Sequence, residues 1–125
     1  MREYVTEIIS VGTELLLGHV TNTDARDVSE MLSKIGINVL YHTVVGDNPG
    51  RIENCVNIAK ERADIIITTG GLGPTYDDLT KQTICETFGK PLVFYPEILE
   101  SIRYFFEHKA HIPMPENNRP QAEFP

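Results

Sequence analysis

An α/β fold on a parallel sheet is what this sequence predicts, with helices on both faces and right-handed crossovers between strands. Three observations lead there. Short apolar, partly β-branched runs alternate with segments of helical period. The runs at 4–11, 37–45 and 64–69 each stop at a glycine, namely Gly12, Gly46 and Gly70. The last run, DIIITT, is apolar almost throughout, as suits a central strand covered on both faces.

Residues 4–11 (YVTEIISV) make the first expected strand, and 12–22 a loop. Ala25, Val28, Met31, Leu32 and Ile35 then recur at helical spacing. Thr21, Asn22 or Thr23 can cap that helix, and Gly36 can end it in a left-handed turn. A second strand covers 37–45. Asn48 caps a second helix with Pro49 in its first position and Ile52, Cys55, Val56 and Ala59 as its buried stripe. A third helix is expected from near Asp77 to near Gly89, and residues 90–94 read as extended. Pro96 opens a fourth helix with Ile98, Leu99, Ile102, Phe105 and Phe106 on its apolar side. The Tyr104-Phe105-Phe106 cluster reads as core or as an oligomer contact. Prolines at 113, 115, 120 and 125 make 111–125 a loop, so the domain proper is placed at 1–110 and 111–125 is its incomplete end.

The 125 residues carry a formal net charge of -7 and a sequence pI near 5.0. That balance argues against nucleic acid or an anionic membrane as partner. No apolar run is long enough to span a bilayer, and the N-terminus has no signal pattern. Cys55 and Cys85 stand far apart and read as reduced, so a cytoplasmic location is expected. A phosphate ligand would then need backbone N–H groups, a few placed cations or a divalent metal, because bulk charge opposes it.

Ligands of parallel sheets sit at the carboxyl ends of the strands. That rule selects the loops 12–22, 46–49 and 70–78. The third carries the strongest signal: Gly70, Gly71 and Gly73 fall between a strand and a helix. Glycine permits positive φ and close ligand approach, and the helix start adds partial positive charge, which together make a phosphate cradle. It is neither a Walker A motif nor a GxGxxG fingerprint. Gly70, Gly71, Leu72, Gly73 and Thr75 are the candidate phosphate contacts. Asp77, Asp78, Asp47 and Glu14 arrive from three strand ends, more acids than capping needs. A divalent cation beside them could offset phosphate charge and activate a water. Gly12 shapes the first loop, while Thr13, Asn22, Thr68 and Thr69 offer neutral hydrogen bonds. Lys81 could reach a phosphate, or be a solvated helix lysine. His108 and His111 have no further ligand nearby and read as surface residues.

The strings VGTELLLG (11–18), Asn22-Thr23, VGDN (45–48), TGGLGPT (69–75) and DDLTK (77–81) occur in order. Together they resemble the N-terminal domain of the CinA (competence/damage-inducible) family, within the molybdopterin-binding superfamily of molybdenum cofactor biosynthesis. The resemblance runs from about Glu7 onward, and Glu116-Asn117-Asn118 with Gln121-Ala122 fits the later segment. It implies a three-layer α/β/α sandwich with a mostly parallel sheet. It implies metal-dependent hydrolysis of ADP-ribose or a related sugar nucleotide, with Asp47 and Asp78 holding the metal and serving the chemistry. The wider superfamily implies an alternative: binding of a pterin phosphate with adenylyl transfer, in a homo-oligomer, dimer or trimer. A third reading is a non-catalytic module. CinA proteins usually continue into a domain that deamidates nicotinamide mononucleotide, so the chain is expected to be a truncated piece. Pro120 stands where a basic residue is expected, with Arg119 beside it.

Overall fold

Thr6–Val11, strand β1, is buried at all six positions, and that burial organises the rest of the chain. The computed structural model describes residues 3–18, 21–74 and 78–125. After β1 come α1 (Thr13–Leu16), α2 (Thr23–Lys34), β2 (Val39–Val45), α3 (Pro49–Arg62), β3 (Ile65–Thr69) and α4 (Thr80–Phe88). The chain continues through β4 (Val93–Phe94), α5 (Pro96–His108), a 3-10 segment (Glu116–Ala122) and β5 (Glu123–Phe124). β1 pairs in parallel with both β2 and β3, in the order β2-β1-β3.

Among the described residues β1 lies between β2 and β3, and the apolar run expected as a central strand forms β3, which pairs with β1 and is half-buried at its five positions. The middle position goes to β1 although it contains Thr6, Glu7 and Ser10. Burial demands that polar groups be satisfied, and an apolar composition is only one way to meet that demand. Glu7, only 1% exposed, receives Arg62 Nε at 2.7 Å, Arg62 Nη2 at 3.0 Å and Thr43 Oγ1 at 2.8 Å. Burial alone would raise its pKa, but these donors outweigh it and hold the carboxyl below its ordinary value. The Arg62 guanidinium lies 3.8 Å from the centre of the Tyr41 ring.

The chain passes from β1 to β2 on one side and returns across β1 to β3. Right-handed crossovers in opposite directions put α2 and α3 on opposite faces, which gives the α/β/α sandwich. On the α3 face, Ile9, Val11 and Val45 meet Ile52, Val56 and Ala59, with Ile66 and Ile84 against them. Both helices are capped: of Thr21, Asn22 and Thr23 it is Asn22 that accepts from Ala25 N, and Asn48 accepts from Arg51 N as expected. No helix among the described residues is long and apolar enough to cross a membrane.

Other boundaries move. β2 begins at Val39, α1 forms within the expected 12–22 loop, and α4 starts at Thr80 rather than near Asp77. Only Val93 and Phe94 of 90–94 form a strand. The stretch 111–125 is more than a loop: its 3-10 segment leads into β5, which pairs antiparallel with β4. Prolines forbid a long helix or a central strand, but not one tight turn and a two-residue edge pairing. Tyr104 and Phe105 are 57% and 55% exposed rather than core. The 3-10 segment packs against α5 and leaves these two rings outward, because helical period marks a face without saying that anything covers it.

Candidate functional site

The carboxyl ends of β1, β2 and β3 bring the three selected loops side by side, with the loop of β1 in the middle. Gly12 donates its N–H to Val45 O at 2.9 Å, tying the first loop to β2. Asp47 and Thr13 clasp each other. Asp47 Oδ2 accepts from Thr13 N and from Thr13 Oγ1, both at 3.2 Å, and Asp47 N donates to Thr13 Oγ1 at 3.1 Å. The Glu14 carboxylate folds back over Gly12, where a Cβ would stand 2.6 Å from Glu14 Oε1. Gly46 is close against Leu16 Cδ1 and Thr13 Oγ1, each 3.3 Å from where its Cβ would be.

The glycine-rich loop is pinned at both ends. Gly70 (φ +83°) lies so close to β1 that a Cβ would overlap Val11 O, and at Gly71 (φ +65°) it would overlap Thr80 Oγ1. Both conformations favour glycine on backbone grounds as well. Fully buried Thr80 holds the turn by two bonds: its Oγ1 donates to Gly70 O at 2.8 Å and its N to Gly71 O at 3.2 Å. The loop carbonyls are thus drawn inward. Among the described residues no backbone bond uses the N–H of Gly71, Leu72 or Gly73. Asp78 lies against the loop, its Oδ2 2.6 Å from where a Cβ of Gly73 would be. Thr75 and Asp77 lie outside the described residues. Thr68 and Thr69 sit half-buried in β3.

Two candidate contacts have other employment. Asn22 Nδ2 donates to Ser10 Oγ at 2.9 Å and lies 3.3 Å from His42 Nε2, while its Oδ1 caps α2. The need to satisfy buried Ser10 explains this better than a ligand does. Lys81 is half-buried and bonded to the C-terminal segment: Nζ donates to Pro120 O at 2.8 Å and Glu123 O at 2.7 Å, and stands 5.1 Å from the Phe124 ring centre. Burial pushes its pKa down, with Glu123 and Cys85 pulling the other way. Arg119 stacks on Phe94 at 4.2 Å. His108 and His111 are exposed. Thr80 is the residue sequence reasoning missed; the available signal was a hydroxyl at a helix start directly after a glycine turn.

Asp47 and Asp78 follow β2 and β3, whose paths lie roughly 10 Å apart with β1 between them. Among the described residues no group of three or more His, Cys, Asp or Glu comes together. The described side chains therefore do not fit a resident metal held by protein ligands alone.

Residues 7–121 match the family described as "Probable molybdopterin binding domain" (MoCF_biosynth). The chain is 54% identical over 116 residues to a "Putative competence-damage inducible protein" of Bacillus subtilis (strain 168), covering 93% of this chain and 28% of that protein. It thus spans under a third of the length of this relative. The crystal structure of the protein CinA from Thermoplasma acidophilum, described as of unknown function, superposes with a TM-score of 0.83 at 28% identity, covering 97% of this chain and 70% of that one. The tungsten cofactor synthesizing protein MoaB from Pyrococcus furiosus shares the fold, with a TM-score of 0.66 at 24% identity over 92% of this chain and 71% of its own.

These matches overturn the expectation of a nucleotide pyrophosphatase acting on ADP-ribose. The family is one of molybdopterin binding, and the matched fold recurs in a cofactor-synthesizing protein. That expectation came from the family resemblance; the residues themselves pointed to a phosphate cradle, and a pyrophosphate and a pterin phosphate monoester both present a phosphate. With the match running over nearly its whole length, the chain belongs to the molybdopterin-binding MoCF_biosynth domain family.

Proposed function

We propose that this domain binds a phosphate-bearing pterin of the molybdopterin type at the carboxyl ends of β1, β2 and β3. One observation carries the proposal. Thr80 draws the carbonyls of Gly70 and Gly71 inward, which leaves the N–H groups of Gly71, Leu72 and Gly73 for the ligand. Backbone donors beside a helix start suit a phosphate in a chain with net charge -7. The family match supplies the pterin.

In this reading Gly70, Gly71, Leu72 and Gly73, with Thr75, take the phosphate. Gly12, Thr13 and Glu14 form the neighbouring wall, and Asp47 and Asp78 flank the crevice. A divalent cation enters the proposal only as a companion of the ligand's phosphate, met by Asp47 or Asp78, because ions of the magnesium class are commonly held by one or two carboxylates plus substrate oxygens.

The test is anaerobic calorimetric titration with molybdopterin. The wild-type chain should bind saturably, excess inorganic phosphate should weaken that binding, and Gly71→Ala should weaken it about tenfold through the loss of oriented donors. A wild-type chain that is folded yet shows no saturable binding refutes the proposal.

A further inference from the structure

Residues 91–125 form a small lobe of their own. β4 pairs with β5, Tyr95 N donates to Ala122 O at 2.9 Å, and α5 packs on the 3-10 segment. The chain enters this lobe just after Gly89, which ends α4 in the left-handed region at φ +65°. Among the described residues, the hydrogen bonds joining the lobe to the sheet and its helices are the two that Lys81 donates to Pro120 O and Glu123 O.

The packing around that lysine is loose. On one side lies a cleft of about 430 Å³, between Gly73, Pro74 and Asp78 of the glycine-rich loop and Leu92, Pro120 and Glu123 of the lobe. On the other lies a second, of about 350 Å³, against Leu72, Ile84, Gln121 and Phe124. Lys81 lines both. Along the two clefts the lobe and α4 make few van der Waals contacts. Charge-assisted bonds from a half-buried ammonium are correspondingly decisive.

We infer that Lys81 is a latch: a positioning residue that holds the 91–125 lobe against α4, so that the lobe forms the outer wall of the ligand cleft beside Gly73 and Asp78. Its two carbonyl bonds set how open that cleft is. In this proposal the bonds keep the wall close to the ligand, so loosening them shortens the time a ligand stays. The part of this that concerns ligand residence rests on the pterin phosphate reading above, while the latch itself does not.

Hydrogen exchange of the full chain, read by mass spectrometry without ligand, tests the latch directly. In Lys81→Met, amides over 79–84 and 120–124 should exchange about tenfold faster while those of Ile8–Ser10 in β1 stay unchanged. Lys81→Arg, which keeps the charge and the donors, should restore most of the protection. Unchanged exchange in Lys81→Met overturns the latch, and so does a uniform rise that includes β1, which reports general destabilisation. Stopped-flow dissociation of bound molybdopterin tests the wall: Lys81→Met should raise the off-rate about tenfold with little change in on-rate. An off-rate unmoved by the substitution, alongside faster lobe exchange, removes the lobe from the ligand site. A wild-type chain that binds no molybdopterin refutes the pterin reading, and the exchange result still decides the latch.

Discussion

Gly36 and Gly70 share a φ of +83°, but their surroundings differ completely. Nothing lies within 4 Å of where a Cβ of Gly36 would stand, whereas at Gly70 it would overlap the carbonyl oxygen of Val11 in the central strand. Alanine at either site bears the left-handed penalty of about 1–2 kcal/mol. Gly70→Ala also forces a shift of the loop or of β1, which adds about 2 kcal/mol by comparison with overpacked cores. Neither cost can be relieved by a side-chain rotation, because the obstructing atom belongs to a backbone with strands on both sides. Urea unfolding followed by circular dichroism compares the two variants with wild type. Equal m-values and a gap of about 2 kcal/mol between the variants are expected, equivalent to roughly 8 °C in Tm for a chain of this size. If Gly70→Ala costs no more than Gly36→Ala, the loop is not pinned to β1, and the argument that its N–H groups are fixed in place fails.

Two further predictions follow from the polar contacts. Glu7 has a folded pKa below its ordinary value of 4.5, so its contribution to stability is present above about pH 4.5 and is lost as pH falls through the folded value. Arg62→Met should therefore destabilise the fold at neutral pH, by leaving a buried carboxylate without its cation, and less so in acid. A cost that does not change between pH 7 and pH 3, measured by urea titration, would contradict that coupling. For the Thr13–Asp47 clasp, a double-mutant cycle with Thr13→Val and Asp47→Asn should give a coupling of about 1 kcal/mol; additive effects would show that the two loops are held together by something else.

The sequence made the alternation of strands and helices legible because hydrophobic period and capping act locally. Asn48 could be named as a cap from its neighbours alone and Asn22 as one of three candidates, and both cap. The glycine-rich loop was legible for a related reason, since Gly70 and Gly71 mark left-handed turns that other residues resist. What stayed hidden depends on partners distant in the chain. β1 can be buried throughout because Glu7 finds Arg62, 55 positions away, and Ser10 finds Asn22. Lys81 looked solvated because its acceptors lie 39 and 42 residues downstream, within a proline-rich stretch that reads as shapeless. Thr80 escaped notice because nothing local to a threonine reports that its hydroxyl will reach back ten positions to a carbonyl.

The same contacts bear on how an acidic chain could offer the proposed phosphate site. Three of its cations are committed elsewhere: Arg62 to Glu7, Lys81 to the carbonyls of the C-terminal lobe, and Arg119 to the face of Phe94. Asp47 and Asp78 stand at the crevice and repel a bare anion. At the glycine-rich loop, what would attract one is oriented and short-ranged, namely the loop N–H groups and the start of α4. Dipoles of this kind act over a few ångströms and demand a fixed geometry, which is why the loop is held at both ends, by Val11 through Gly70 and by Thr80 through Gly71. A site built on free lysines could tolerate a mobile loop, because a point charge keeps its attraction as it moves. A site built on backbone donors cannot. In the proposed site, the positive-φ turns at Gly70 and Gly71, the burial of Thr80 and the proposed latch at Lys81 would then act together, with rigidity taking the place of charge.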